Sequence, residues 1–139
     1  MSYDEALRTI SLDADASLVV WTGVPGQPGS ASPNTGHMFK FVKVTGAHTA
    51  GLSTAAANEV TIGVLQSKPQ VLGMSCTVAI SGVSNVVAGG NVAAGDRIKA
   101  NASGQGVTAT PATDDDVTVG IALGSAASGQ LFPCLLRLR

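Results

Sequence analysis

Residues 96–101 alternate in character, with Arg97, Lys99 and Asn101 on one side and Asp96, Ile98 and Ala100 on the other. That period of two predicts a strand with one wet and one dry face. Turn residues bracket it at Ala94-Gly95-Asp96 and Ser103-Gly104-Gln105-Gly106, where glycine takes positive φ without a steric penalty. Upstream, residues 78–87 supply an apolar neighbour. Downstream, residues 107–110 are placed to pair back across the Gly104 turn. The C-terminal half therefore predicts a small β-meander or barrel.

The N-terminal half gives weaker signals. Residues 18–22, LVVWT, are β-branched and aromatic and predict a strand, with Trp21 a core or interface anchor. In residues 38–45, MFKFVKVT, Phe39, Phe41 and Val44 interleave with Lys40 and Lys43, and Val42 falls out of phase. This predicts a half-buried strand whose lysines are solvated or guard an edge. Residues 47–58 are small and polar and predict a loop, residues 60–65 another strand, and residues 131–139 a last one carrying Arg137 and Arg139 on one face. Between the first two strands, residues 23–36 hold Gly23, Pro25, Gly26, Pro28, Gly29, Pro33 and Gly36, which excludes a regular element. A loop that long either binds something or is disordered. Residues 1–16 begin polar, and residues 6–10 are too short for a helix on their own, so an arm that orders on a neighbour is expected.

One pattern recurs. Val60-Thr61-Ile62-Gly63-Val64-Leu65 returns 57 residues later as Val117-Thr118-Val119-Gly120-Ile121. Each copy is followed by a turn with a glycine, Gly73 or Gly129, and then by a strand with a cysteine, Cys76 or Cys134. Two similar hairpins in one sheet or barrel would produce this. A glycine inside a strand marks a bulge, a bend or a close backbone approach.

Composition changes the picture in one respect. Charged residues are 12% of the 139, about half the usual share, and aromatics only 4%. A surface built from Ser, Thr, Asn, Gln, Gly and Ala points to a subunit of a larger assembly. The net charge of −1 supplies no basic face, so nucleic acid is not an expected partner. The uncharged stretches 69–95 and 117–136 are too interrupted by polar residues, glycine and proline to predict a membrane span, and the acidic start predicts no signal peptide.

Candidate chemistry is sparse. Cys76 and Cys134 are too few for a disulfide framework, and no spacing recruits His37 and His48 to a zinc site, so buried thiols are expected and no metal or cofactor. Asp13 and Asp15 lack the further oxygen ligands of a calcium loop, and adjacent Asp114, Asp115 and Asp116 repel one another; both groups predict solvated turns. No set of nucleophile, base and stabiliser can be named, so an enzyme is not expected.

Taken in order, Gly63-Val64-Leu65-Gln66-Ser67-Lys68-Pro69, Gly82-Val83, Val87-Ala88-Gly89-Gly90, Ala93-Ala94-Gly95-Asp96, Ala102-Ser103-Gly104 and Val119-Gly120-Ile121-Ala122-Leu123 resemble the capsid decoration, or cement, proteins of tailed bacteriophages. The resemblance covers residues 39–139. It implies a compact β-rich subunit on the outer capsid surface, made in a bacterial cytoplasm, that bridges major capsid protein subunits as a homotrimer and has no catalytic residues. The expected architecture is thus all-β, a small barrel or sandwich over residues 17–139 with an N-terminal arm over 1–16. Tyr3, Arg8, Trp21, Pro25, Pro28, Arg137 and Arg139 are the candidate capsid or subunit contacts. The competing reading is a β-barrel module that binds host glycans through Trp21 and the 23–36 loop.

Overall fold

The computed structural model describes residues 7–19, 37–56, 59–69, 71–110, 113–114 and 117–137. These form nine strands: β1 (Arg8–Ala14), β2 (Phe41–Gly46), β3 (Thr49–Leu52), β4 (Thr61–Leu65), β5 (Ser75–Val87), β6 (Arg97–Ala100), β7 (Gly106–Thr108), β8 (Gly120–Ala122) and β9 (Leu131–Leu136). The all-β expectation holds among the described residues.

The strands make two rings that share β5. In the first, barrel 1, β1 pairs with β3 in parallel and with β5 antiparallel, and the order β1-β3-β2-β4-β5 closes on itself. In the second, barrel 2, the far half of β5 takes the place of β1. It pairs antiparallel with β9, the order runs β9-β8-β6-β7, and a parallel bridge between Ala88 and Gly106 returns to the start. Edges of a sheet leave backbone groups unpaired, and closure removes them.

The two rings are repeats of one unit, in finer detail than the sequence repeat shows. Val42 pairs with Leu52 and Gly63, and 56 or 57 residues on Ile98 pairs with Thr108 and Gly120. Leu65 N donates to Lys40 O at 2.9 Å, as Ala122 N does to Asp96 O at 2.9 Å. Gly73 N donates to Ala14 O at 2.9 Å and Gly129 N to Ala88 O at 2.7 Å. The repeated glycines explain themselves: a Cβ on Gly63 would lie 2.0 Å from Ala79 O, and one on Gly120 would lie 2.6 Å from Leu135 O, the equivalent atom. By the strand register Cys76 corresponds to Phe132 and Cys134 to Val78, so the two cysteines are two residues out of step.

Each barrel has its own core, built from the same positions. Barrel 1 buries Leu12, Ala14, Leu18, Val42, Ala50, Leu65, Cys76 and Val78. Barrel 2 buries their counterparts Val86, Ala88, Val92, Ile98, Ala122, Phe132 and Cys134, with Gly106 standing where Ala50 stands. Between the barrels lies a second layer. Phe41, Val64 and Ala79 point out of barrel 1 and are buried in the cluster formed by barrel 2. A strand covered on both faces needs consecutive apolar residues, which is why Phe41-Val42, Val64-Leu65 and Val78-Ala79 each send one side chain to each core.

Several expectations are corrected here. The arm expected over residues 1–16 is, over Arg8–Ala14, strand β1 in the sheet of its own chain. Within the loop expected over 47–58 lies β3, whose Ala50 and Gly51 carry no alternation to announce it. In β2 Val42 is buried along with Phe41, one side chain to each core, and Val44 is 56% exposed; the register against β4 shifts by one residue between Val42 and Lys43. Leu18 lies in a turn after β1, its N–H donating to Asp15 O at 3.2 Å; the rest of the strand expected over 18–22, apart from Val19, lies outside the described residues.

Candidate functional site

Of the contact residues proposed from sequence, Arg8 and Arg137 fall within the described residues and Tyr3, Trp21, Pro25, Pro28 and Arg139 do not. The fold brings the two arginines to one level. Arg8 opens β1 opposite Ser81, Leu136 closes β9 opposite Gly82, and Arg137 follows with its N–H on Val119 O at 2.9 Å. Both are exposed, and Leu7 and Ile10 beside Arg8 are 36% and 37% exposed.

Two features were not foreseen. The first is the tip of the β4–β5 hairpin, where Val71, Leu72 and Met74 are 53%, 67% and 46% exposed. Gly73 permits the tip with a φ of 79°. The equivalent tip of barrel 2 carries Ala127, Ser128 and Gln130, so the apolar tip is a property of barrel 1 alone.

The second is a groove of about 630 Å³ on barrel 1, lined by Val44, Val60 and Ile62 together with Lys43, Thr45, Ala56 and Glu59. Glu59 is the organising group. Its carboxylate accepts from Lys43 Nζ at 2.8 Å, Thr54 Oγ1 at 2.7 Å, Thr54 N at 2.9 Å, Ala55 N at 3.1 Å and the Ser53 hydroxyl. Burial alone would raise its pKa, but these donors together outweigh burial and hold it at about 2. Lys43 is therefore part of a clamp rather than a solvated face. Barrel 2 repeats the clamp with a shorter acid: Lys99 Nζ and Thr110 N both donate to Asp114 Oδ2 at 2.8 Å, which lowers the Asp114 pKa. Asp114 thus has a structural partner, contrary to the solvated turn expected there. Its groove, at Ala100 and Val117, is narrowed to about 200 Å³ by Ala55, Ala56 and Glu59 of barrel 1.

The clamp carries a pH prediction. Between pH about 4.5 and about 2 the unfolded chain binds a proton at Glu59 that the folded chain does not, so the clamp's contribution is complete above that window and disappears as pH falls through it. Glu59→Gln is expected to cost roughly 2 kcal/mol at neutral pH and to flatten the dependence of Tm on pH between those limits. Calorimetry of both proteins across the window checks it, and equal slopes would remove Glu59 from the account.

The remaining polar chemistry is internal. Asp15 accepts from Ser17 N and Ser17 Oγ at 2.8 and 2.5 Å and shapes the turn after β1. His37 Nδ1 lies 3.3 Å from Lys40 Nζ, and burial lowers the pKa of both. Burial pushes the Cys134 thiol up to about 12 and raises that of Cys76, so both thiols stay protonated in their cores at neutral pH. No group of three His, Cys, Asp or Glu converges among the described residues. What the described surface offers is contact area: an apolar tip, an apolar groove and exposed arginines.

No protein-family model matches the chain, and no curated protein sequence does. A solved structure does. The chain is similar to the N base of the head fiber gp8.5 of bacteriophage phi29, with a TM-score of 0.62, 17% identity and 95% of each chain covered. At that identity the likeness establishes a shared fold across nearly the whole length, both barrels included.

Proposed function

We propose that this chain is a structural protein of a phage virion, carried on the outer surface of the head, where it binds the assembled major capsid protein and holds neighbouring subunits together. The observation that carries the reading is the match of its two-barrel fold, over 95% of its length, to the base of a phage head fiber. The low charge, and glycine motifs whose order resembles that of capsid decoration proteins, support the same reading. Binding only the assembled shell stabilises that shell by mass action. Many copies on one particle act together when geometry lets them engage at once. The apolar tip at Val71, Leu72 and Met74 is the contact we assign to the shell, because exposed apolar clusters mark interaction sites.

Purified capsids lacking the protein provide the test. Added protein is expected to co-sediment with them and to raise the temperature at which they release DNA. Leu72→Asp is expected to weaken binding by at least about tenfold while leaving the fold intact, since the side chain is exposed. Capsids that neither bind the wild-type chain nor gain heat resistance would overturn the proposal.

A further inference from the structure

The internal junction between the barrels has two halves, and each barrel uses only one of them. Barrel 1 offers the outer face of β2 and β4, where Phe41 N donates to Gly104 O at 2.7 Å and Phe39 O accepts from Val87 N at 2.9 Å. Gly104 packs so closely that a Cβ there would lie 2.6 Å from Leu52 Cδ1. Gln66 Nε2 donates across the same junction to Ser84 Oγ at 2.8 Å.

Each of these residues has a counterpart on the outside of the molecule. Phe41, Leu52 and Gln66 correspond to Arg97, Thr108 and Leu123 on barrel 2; Gly104, Val87 and Ser84 correspond to His48, Asp13 and Ile10 on barrel 1. The inner set is apolar with one hydrogen-bonded pair. The outer set is charged and polar around one apolar pair, Leu123 and Ile10, with Arg97 on one side and Asp13 on the other. That is the composition of a surface that dissolves alone and still matches its opposite in charge.

We propose that a second copy of this chain docks there, barrel 2 of one copy against barrel 1 of the next, across the surfaces that correspond to the internal junction. The side-chain positions are repeated there and the two backbone hydrogen bonds are not, since Asp13 N already donates to His48 O at 2.9 Å within barrel 1. The strand ends fit this arrangement. β9 corresponds to β5 as far as Ile80 and β1 corresponds to β5 from Gly82 on, so β9 of one copy and β1 of the next together span the register of β5, with Arg137 of the one and Leu7 of the other both falling at the position of Ser81, where the two chains must part. The grooves fit it too. Barrel 2's groove is narrowed by the clamp loop of barrel 1, whereas Val44 and Val60 of barrel 1 are 56% and 71% exposed, and the clamp loop of a preceding barrel 2 covers them. Such a seam is heterologous: it joins two different patches, and it closes into a ring or extends according to its rotation. It is independent of any binding to a capsid.

Sedimentation of the purified full chain, with Arg97→Glu and Ile10→Asp variants, tests the seam. Both sites are surface positions on opposite sides of it, and circular dichroism with Tm checks that each variant folds. The wild-type chain is expected to self-associate, into a closed ring or an open series, and to dissociate on dilution, and each variant to raise the dissociation constant at least about tenfold. Mixing the two variants is the decisive arm. Each retains one intact half of the seam, so the mixture is expected to form a dimer and nothing larger. A wild-type chain that stays monomeric at all concentrations, variants that assemble as it does, or a mixture that stays monomeric or grows past a dimer would each overturn the proposal.

Discussion

Replacing Gly63 by alanine is expected to cost about 3 kcal/mol or more of folding stability, the upper end of what overpacking does. The new Cβ would sit 2.0 Å from Ala79 O and 2.9 Å from Val78 Cγ1. The carbonyl belongs to the backbone of β5, held there by the pairing of Val64 with Ala79. No rotamer change relieves that contact. β4 and β5 would have to separate, which loosens the closure of barrel 1 and the cover over Phe41 at once. Alanine also lowers the entropy of the unfolded chain, but by less than about 1 kcal/mol, so the clash decides the sign. Gly120→Ala is expected to behave alike but more mildly, since its nearest atoms, Cys134 Sγ and Leu135 O, lie at 2.6 Å and the first can turn away. Gly73→Ala is the control: nothing lies within 4 Å, and the cost is the 1–2 kcal/mol or so of a side chain at φ 79°. Urea unfolding of the three variants orders them, and a Gly63→Ala protein as stable as Gly73→Ala would show that β4 and β5 are not in close contact.

That glycine also explains what the sequence could disclose. The repeat was legible at residues 60–65 and 117–121 because Gly63 and Gly120 face an identical constraint that allows no side chain. The rest of the duplication was hidden by substitutions that keep the backbone and change the residue. Gly95 and Gly104, with φ of 93° and 72°, announced the turns around β6, but their counterparts in barrel 1 are Phe39 and His48, at 66° and 57°. Positive φ is uncommon outside glycine, so nothing in the sequence marks the β2–β3 hairpin, and β3 has the composition of a loop. Burial on both faces defeated the alternation rule at Phe41 and Val42. Of the candidate surfaces, the exposure of Arg8 and Arg137 followed from their charge. The tip at Val71 and Leu72 and the groove at Val44 and Val60 did not, because valine and leucine line both cores as well, and only the closed rings decide which copies stay outside.

Phe132→Ala is expected to cost about 3–5 kcal/mol, and a second substitution that harms the wild-type protein should harm this variant less. Phe132 fills the centre of barrel 2 opposite Gly106, where an added Cβ would lie 2.9 Å from Phe132 Cζ, 2.9 Å from Val86 Cγ1 and 3.2 Å from Ile98 Cγ2. Gly106→Ala alone is therefore expected to destabilise by about 1–3 kcal/mol. Barrel 1 solves the same packing problem the other way round: Ala50 occupies the glycine position, Cys76 replaces the phenylalanine and Leu65 takes the place of Ala122. Interiors are packed to near-crystalline density, so a large residue at one position fixes a small one at its neighbour. With Phe132 reduced to alanine, the methyl that Gly106→Ala adds enters the vacated space instead of striking a ring. The double variant is expected to be more stable than the sum of the single effects predicts by about 1 kcal/mol or more, the size of coupling that contacting residues show. Strict additivity in a double-mutant cycle would mean that Gly106 answers to the backbone and not to the ring. The equivalence of the two cores would then rest on strand register alone.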